Sequence, residues 1–130
     1  MTARIIVDAN AAIEWLRTGN VEPAPMRTSH TVVVPLPVVG ELYAGVFASR
    51  RLVENLEILE DYLDTTTILA PDLHTARVYG NLRARMNFTD IRASKMNDLW
   101  IAALCLQHSL PLLTNDRGFD SIEGLAVVHW

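Results

Sequence analysis

The sequence predicts an α/β fold: a central, mainly parallel sheet of four to five strands, covered by helices on both faces. Three observations predict it. Short β-branched or aliphatic runs, Ile5-Ile6-Val7, Thr31-Val32-Val33-Val34, Pro111-Leu112-Leu113-Thr114 and Leu125-Ala126-Val127-Val128, lack polar alternation, as strands buried on both faces do. Helical patterns separate these runs, and alternating strands and helices favour parallel crossovers. No repeat, low-complexity run or linker interrupts the 130 residues, so residues 1–130 read as one domain.

Composition narrows the function classes. Half the residues are hydrophobic and 20% are charged, enough apolar material for a core. A net charge of −4 argues against nucleic-acid binding by bulk charge, though not against a local basic patch. Only Lys95 among the 11 cationic residues is a lysine, and arginine suits bidentate contact with phosphate or carboxylate. The single cysteine, Cys105, excludes an intrachain disulfide and reads as a small buried thiol. No apolar stretch is long enough to cross a bilayer. Met1-Thr2-Ala3-Arg4 does not resemble a signal peptide, so the expected compartment is the cytoplasm, with no membrane partner.

Taken in order, Asp8 ends the first strand, and Asn10 is placed to cap a helix through about Leu16. Residues 18–30, with Gly19, Pro23 and Pro25, read as a loop. Pro35 stops the second strand, and a helix opens near Pro37 and carries Glu41, Tyr43 and Phe47. Arg51 to Leu63 is amphipathic, with Leu52, Leu56, Leu59 and Leu63 as its inner stripe. Its outer face, Glu54, Glu57, Glu60, Asp61 and Asp64, reads as solvated. Thr65 to Leu69 is a further strand, and Pro71-Asp72 opens a helix to about Met86. Residues 87–94 read as loop. Asn97 is then the expected cap of an almost wholly apolar helix reaching about His108, with Asp98 in its first turn, where the helix dipole favours negative charge.

Ligands of parallel sheets bind at the carboxyl ends of the strands. Asp8 ends the first strand, Asp116 lies two residues past the strand ending at Thr114, and Glu41 and Asp98 lie near helix starts. All four flank apolar segments. Gathered together, they would repel one another and raise their pKa values, a cost that a divalent cation removes. Hard oxygen donors without His or Cys select Mg²⁺ or Mn²⁺ over Zn²⁺. Such a site suits hydrolysis of a phosphodiester by a metal-activated water. His30, His74, His108 and His129 are scattered and read as surface or loop residues, and there is no Gly-rich phosphate loop. Asp120 is a rival to Asp116, but its place after Phe119 suits a turn or cap. A weaker signal is the basic stretch Arg77, Arg83, Arg85, Arg92 and Lys95, which leads into Asp98. It reads either as a solvated helix face plus loop or as the path of an RNA backbone. Trp15, Tyr43 and Trp100 are aromatic candidates for stacking, with packing the better reading for Trp100.

Val7-Asp8-Ala9-Asn10, Glu41-Leu42-Tyr43-Ala44-Gly45, Asn97-Asp98-Leu99-Trp100-Ile101-Ala102-Ala103 and Leu113-Thr114-Asn115-Asp116-Arg117-Gly118-Phe119 resemble, in order and spacing, the motifs of PIN-domain ribonucleases. The similarity is greatest to the VapC toxins of toxin–antitoxin pairs, and it spans essentially the whole chain. It implies a PIN-like three-layer α/β/α sandwich and an acidic quartet of Asp8, Glu41, Asp98 and Asp116 around Mg²⁺, with Asp8 and Asp98 the most direct ligands. Asn10 and Thr114 match supporting polar positions. It further implies a Mg²⁺-dependent endoribonuclease, a cognate VapB antitoxin that inhibits it, an RNA substrate and a homodimer. Ala9 departs from the family pattern, where Ser or Thr is frequent, and Pro35 and Pro37 fall where a hydroxyl residue is common. Two other uses of such a domain stay open at this point: an RNA-processing nuclease that is not a toxin, and a non-catalytic protein-binding module.

Overall fold

The computed structural model describes residues 3–18, 30–86 and 93–130. Five strands, β1 (Ala3–Val7), β2 (His30–Pro35), β3 (Thr67–Leu69), β4 (Leu112–Thr114) and β5 (Val127–His129), form one sheet in the order β3-β2-β1-β4-β5. Every pairing is parallel. The helices are α1 (Ala9–Thr18), α2 (Leu36–Phe47), α3 (Leu52–Asp64), α4 (Leu73–Arg85) and α5 (Ala93–His108). The order of elements and the parallel sheet match the predicted α/β/α arrangement.

The β-branched runs occupy the centre for the reason their composition suggests. Ile5, Ile6, Val7, Val33, Val34, Leu112 and Leu113 are all at most 2% exposed, because β1, β2 and β4 are covered on both faces. From α5, Ile101, Ala102, Ala103, Leu104 and Cys105 join the same core. Burial pushes the Cys105 thiol up to about 12, which suits a packing group and not a nucleophile. Tyr79 of α4 stacks on Trp100 of α5, with ring centroids 4.2 Å apart and planes 11° from parallel. Trp100 therefore packs between helices. Trp15 meets Tyr62 at 5.7 Å, and Tyr43 stacks on Phe47 at 6.1 Å.

Several boundaries depart from the sequence reading. Strand β2 includes Pro35, which stays in register with Leu69 of β3. Helix α1 is capped by Asp8 and not by Asn10: Asp8 Oδ1 accepts the Ala11 N–H at 2.9 Å. Helix α5 begins at Ala93, so Asn97 is no cap and Asp98 lies in the second turn. Asp72 caps α4 through a reciprocal pair of bonds with Thr75. In α3 the acidic face is exposed as expected. Of the predicted inner stripe, Leu59 is buried and Leu56 and Leu63 are half-buried, whereas Leu52 is 38% exposed; Tyr62 is buried on the same side.

Candidate active site at the strand ends

Asp8 follows the last residue of β1 and is 5% exposed. Its carboxylate is gripped from two sides. Oδ1 accepts the Ala11 N–H, and Oδ2 accepts the hydroxyl of Thr114, the last residue of the adjacent strand β4. The backbone adds to this, since the Asp8 N–H donates to the Leu113 carbonyl at 3.3 Å. Burial is the largest influence on Asp8 and raises its pKa. The bonds from Thr114 and Ala11 work against that, and the nearby Asp116 charge adds to it. The expected repulsion between acids is thus present, but desolvation outweighs it.

Asp116 is tied into the same unit. Its N–H donates to Thr114 Oγ1 at 2.9 Å, and its Oδ1 accepts the Gly118 N–H at 2.8 Å. It thereby caps a short 3₁₀ turn, Arg117–Ser121. One hydroxyl, Thr114, donates to one acid and accepts the backbone N–H of the other. Asn10, at the start of α1, donates from Nδ2 to Asn115 Oδ1 at 3.4 Å, which ties α1 to the segment after β4.

The other two acids come from helices. Glu41 lies in α2, which packs on both α1 and α5. Its Oε1 accepts a bond from Asn97 Nδ2 at 2.9 Å, so α2 and α5 are joined beside Asp98, which is half-buried. Asn97, which sequence reasoning assigned to a helix cap, is instead the partner of Glu41. Its signal was its place directly before Asp98, which a cap explained equally well. Glu41 also shares a cleft with Ile13 of α1, the helix that Asp8 caps. The structure therefore joins Asp8 to Asp116 and Glu41 to Asn97. Among the described residues, no three carboxylate, histidine or cysteine side chains converge as a ready-made metal cage.

The chemistry of the donors nevertheless fits a hard divalent cation. The donors are carboxylates, with a hydroxyl and amides in support, and burial raises the pKa of the Asp8 carboxyl. A cation beside Asp8 and Asp116 would offset both the burial and the mutual repulsion.

Of the basic patch, the side chains of Arg77, Arg83 and Arg85 fall among the described residues. Arg77 is exposed. Arg83 Nη1 donates to the Tyr79 hydroxyl at 3.2 Å, and Arg85 lies 4.0 Å from Glu123 with both side chains largely exposed. Arg92 and the Lys95 side chain lie outside the described residues. Of the histidines, His74 and His108 are exposed on α4 and α5. His129 departs from the surface-or-loop reading: it is half-buried at the end of β5 and paired with Asp120. Asp120, set aside as a turn or cap residue, is that histidine's partner.

A parallel α/β/α domain with acids at the ends of adjacent strands is the class of protein that this geometry defines. The family model described as the PIN domain matches residues 5–125. Ribonuclease VapC5 of Mycobacterium tuberculosis is 34% identical over 108 residues, covering 81% of this chain and 76% of that one. Ribonuclease VapC2 of Haemophilus influenzae is 31% identical over 96 residues, covering 71% and 70%. Among solved structures, VapBC-5 of Mycobacterium tuberculosis, a member of the VapBC family of toxin–antitoxin systems, is 29% identical with a TM-score of 0.69, over 98% of this chain and 97% of that one. VapBC2 from Rickettsia felis, bound to a DNA fragment from its promoter, shares the fold with a TM-score of 0.83 at 21% identity, covering 98% of both chains. The chain belongs to the PIN-domain family, among its VapC-type members.

Proposed function

We propose that residues 1–130 act as one PIN unit, the toxin of a type II toxin–antitoxin pair: a Mg²⁺-dependent endoribonuclease that hydrolyses RNA phosphodiester bonds in the cytoplasm. The observation that carries this is the buried Asp8, held by Thr114 beside Asp116 at the ends of neighbouring strands. Asp8, Asp98, Asp116 and Glu41 are the proposed metal-holding and catalytic acids. Mg²⁺, or Mn²⁺ in its place, supplies Lewis acidity that polarises a phosphoryl oxygen and lowers the pKa of a water.

The chain's own residues prepare this. Thr114 keeps the Asp8 carboxylate in one orientation, so no reorganisation is needed when RNA arrives. Asn97 restrains Glu41 in the same way. Asn10 ties the start of α1 to the segment after β4. Arg77, Arg83, Arg85, Arg92 and Lys95 are the proposed phosphate contacts; of these, Arg77 and Arg85 stand exposed on α4. No covalent enzyme intermediate is involved.

The proposed partner is a VapB-type antitoxin. A cleft of about 450 Å³ opens between α1, α2 and α3, lined by Ile13, Leu16, Leu42, Val46, Ile58 and Leu59, with Glu41 at its edge. An amphipathic antitoxin helix suits the apolar part. An Arg or Lys from it would reach the acids, since arginine pairs bidentately with carboxylate. A complex with the antitoxin wholly on the face away from Asp8 and Asp98 would refute this mode of inhibition. Light scattering of the purified chain tests the proposed homodimer. Among the described residues, no helix is long and apolar enough to cross a membrane.

The deciding experiment maps RNA 5′ ends after brief induction of the wild type and of Asp98→Asn. New ends and growth arrest with the wild type alone support a toxin. Cleavage without arrest points to RNA processing. Cleavage that persists in Asp98→Asn removes Asp98 from the mechanism, and purified protein that cuts RNA equally well in EDTA removes the metal.

A further inference from the structure

The 3₁₀ turn after Asp116 is short, and such turns have poor internal hydrogen bonds, so tertiary contacts must hold them. Phe119, 2% exposed, anchors the middle of the turn in the core. The second anchor is polar. His129 lies opposite Thr114 in the β4–β5 register. Its Nδ1 faces the Thr114 carbonyl at 3.1 Å, and its Nε2 faces Asp120 Oδ1 at 2.7 Å. The imidazole thus spans from the end of β4 to the turn that begins at Asp116. Thr114 is held twice: its hydroxyl serves Asp8 and Asp116, and its carbonyl faces His129.

We propose that Asp120 and His129 are positioning residues for Asp116: their contact closes a loop from Thr114 through the 3₁₀ turn and fixes the direction in which Asp116 faces Asp8. The loop has four links. Thr114 Oγ1 accepts the Asp116 N–H, and Asp116 Oδ1 caps the turn at Gly118. The turn carries Asp120, and Asp120 meets His129, which returns to the Thr114 carbonyl. With the Asp120 contact gone, the far end of the turn keeps Phe119 but loses its polar restraint, and the Asp116 carboxylate can swing about the Thr114 bond. The other neighbour of Asp120, Arg117 at 3.9 Å, is largely exposed and contributes little.

This inference rests on the reading of Asp8 and Asp116 as a metal site. Partners that orient metal ligands from behind cost about 10–100-fold in metal affinity or activity when removed. The test uses the purified full chain and Mn²⁺ titration followed by electron paramagnetic resonance. Asp120→Ala is expected to raise the half-saturating Mn²⁺ concentration about tenfold, the lower end of that range. The Tm in EDTA should change little, which a loss of general stability would not allow. Asp120→Asn keeps a side chain that can accept from or donate to Nε2 and should bind Mn²⁺ like the wild type, as should Arg117→Ala. Where Asp120→Ala fails to fold, His129→Phe takes its place, because it keeps the ring and loses both nitrogens. Wild-type affinity in Asp120→Ala, or an equal loss in Asp120→Asn, overturns the positioning role. A wild type that takes up no Mn²⁺ overturns instead the metal site itself, and the positioning role falls with it.

Discussion

Replacing Thr114 by Val removes one oxygen and changes little else, since the two side chains have nearly the same shape. Thr114 is fully buried, so water cannot take the place of that oxygen. Two bonds are lost. The first is the bond to Asp8 Oδ2, a hydrogen bond to a charged group, worth about 1.5–3 kcal/mol. The second is the bond from the Asp116 N–H, worth about 1 kcal/mol or less because Asp116 is only half-buried. Together they give an expected loss of about 3 kcal/mol near pH 7, which for a domain of this size lowers Tm by about 10 °C. The loss depends on pH. The Thr114 bond favours ionised Asp8, so without it the already raised Asp8 pKa rises further. The folded mutant then holds its proton to higher pH than the folded wild type. The extra destabilisation is fully present above the folded-state pKa values, which lie above 3.8, and shrinks as pH falls through them. Urea unfolding in EDTA at pH 7 and pH 4 reads this, with Thr114→Ser as a control that keeps the hydroxyl. A loss under about 1 kcal/mol at pH 7, or the same loss at both pH values, would show that the Thr114 hydroxyl does not support an ionised Asp8.

Three further outcomes are expected. Asp8→Asn keeps the cap at Ala11 and removes a buried charge, so in EDTA its stability should stay within about 1 kcal/mol of wild type. In Mg²⁺ at a hundred times its dissociation constant the wild type should gain about 2.7 kcal/mol and the variant far less, and equal destabilisation in both buffers would make Asp8 a scaffold residue only. Asn97→Ala removes the exposed bond to Glu41, so thermal melts should move by no more than about 0.5 kcal/mol while RNA cleavage falls about tenfold; unchanged cleavage rates would disprove its role. Asp72→Ala should lower Tm by a few degrees at pH 7 without touching cleavage, because it loses the cap at Thr75 and the bond from Gln107. Those bonds hold its pKa below 3.8, so the stability they contribute is present above that value and vanishes as acid protonates Asp72; a Tm gap that persists in strong acid would contradict the cap.

The sequence by itself determined the sheet and the place of Asp8 at the end of a central strand. Runs such as Ile5-Ile6-Val7 and Leu112-Leu113 leave no polar face, so they can only be central strands. An acid that directly follows such a run, as Asp8 does, must lie at a strand end, and that is a local property. The tertiary structure decided what each acid is bonded to, because those partners are distant in the chain. Thr114 is 106 residues from Asp8, and Asn97 is 56 residues from Glu41. Asn97 and Asp98 looked like the mouth of a helix because Asn is a good cap, yet α5 begins at Ala93, and Asn97 bonds to Glu41 instead. His129 looked peripheral because nothing in its neighbours along the chain marks it. Only the pairing of β5 with β4 brings its ring to the Thr114 carbonyl and to Asp120. Local pattern measures how well a residue suits burial or a turn, whereas a hydrogen-bond partner is set by which strands lie side by side.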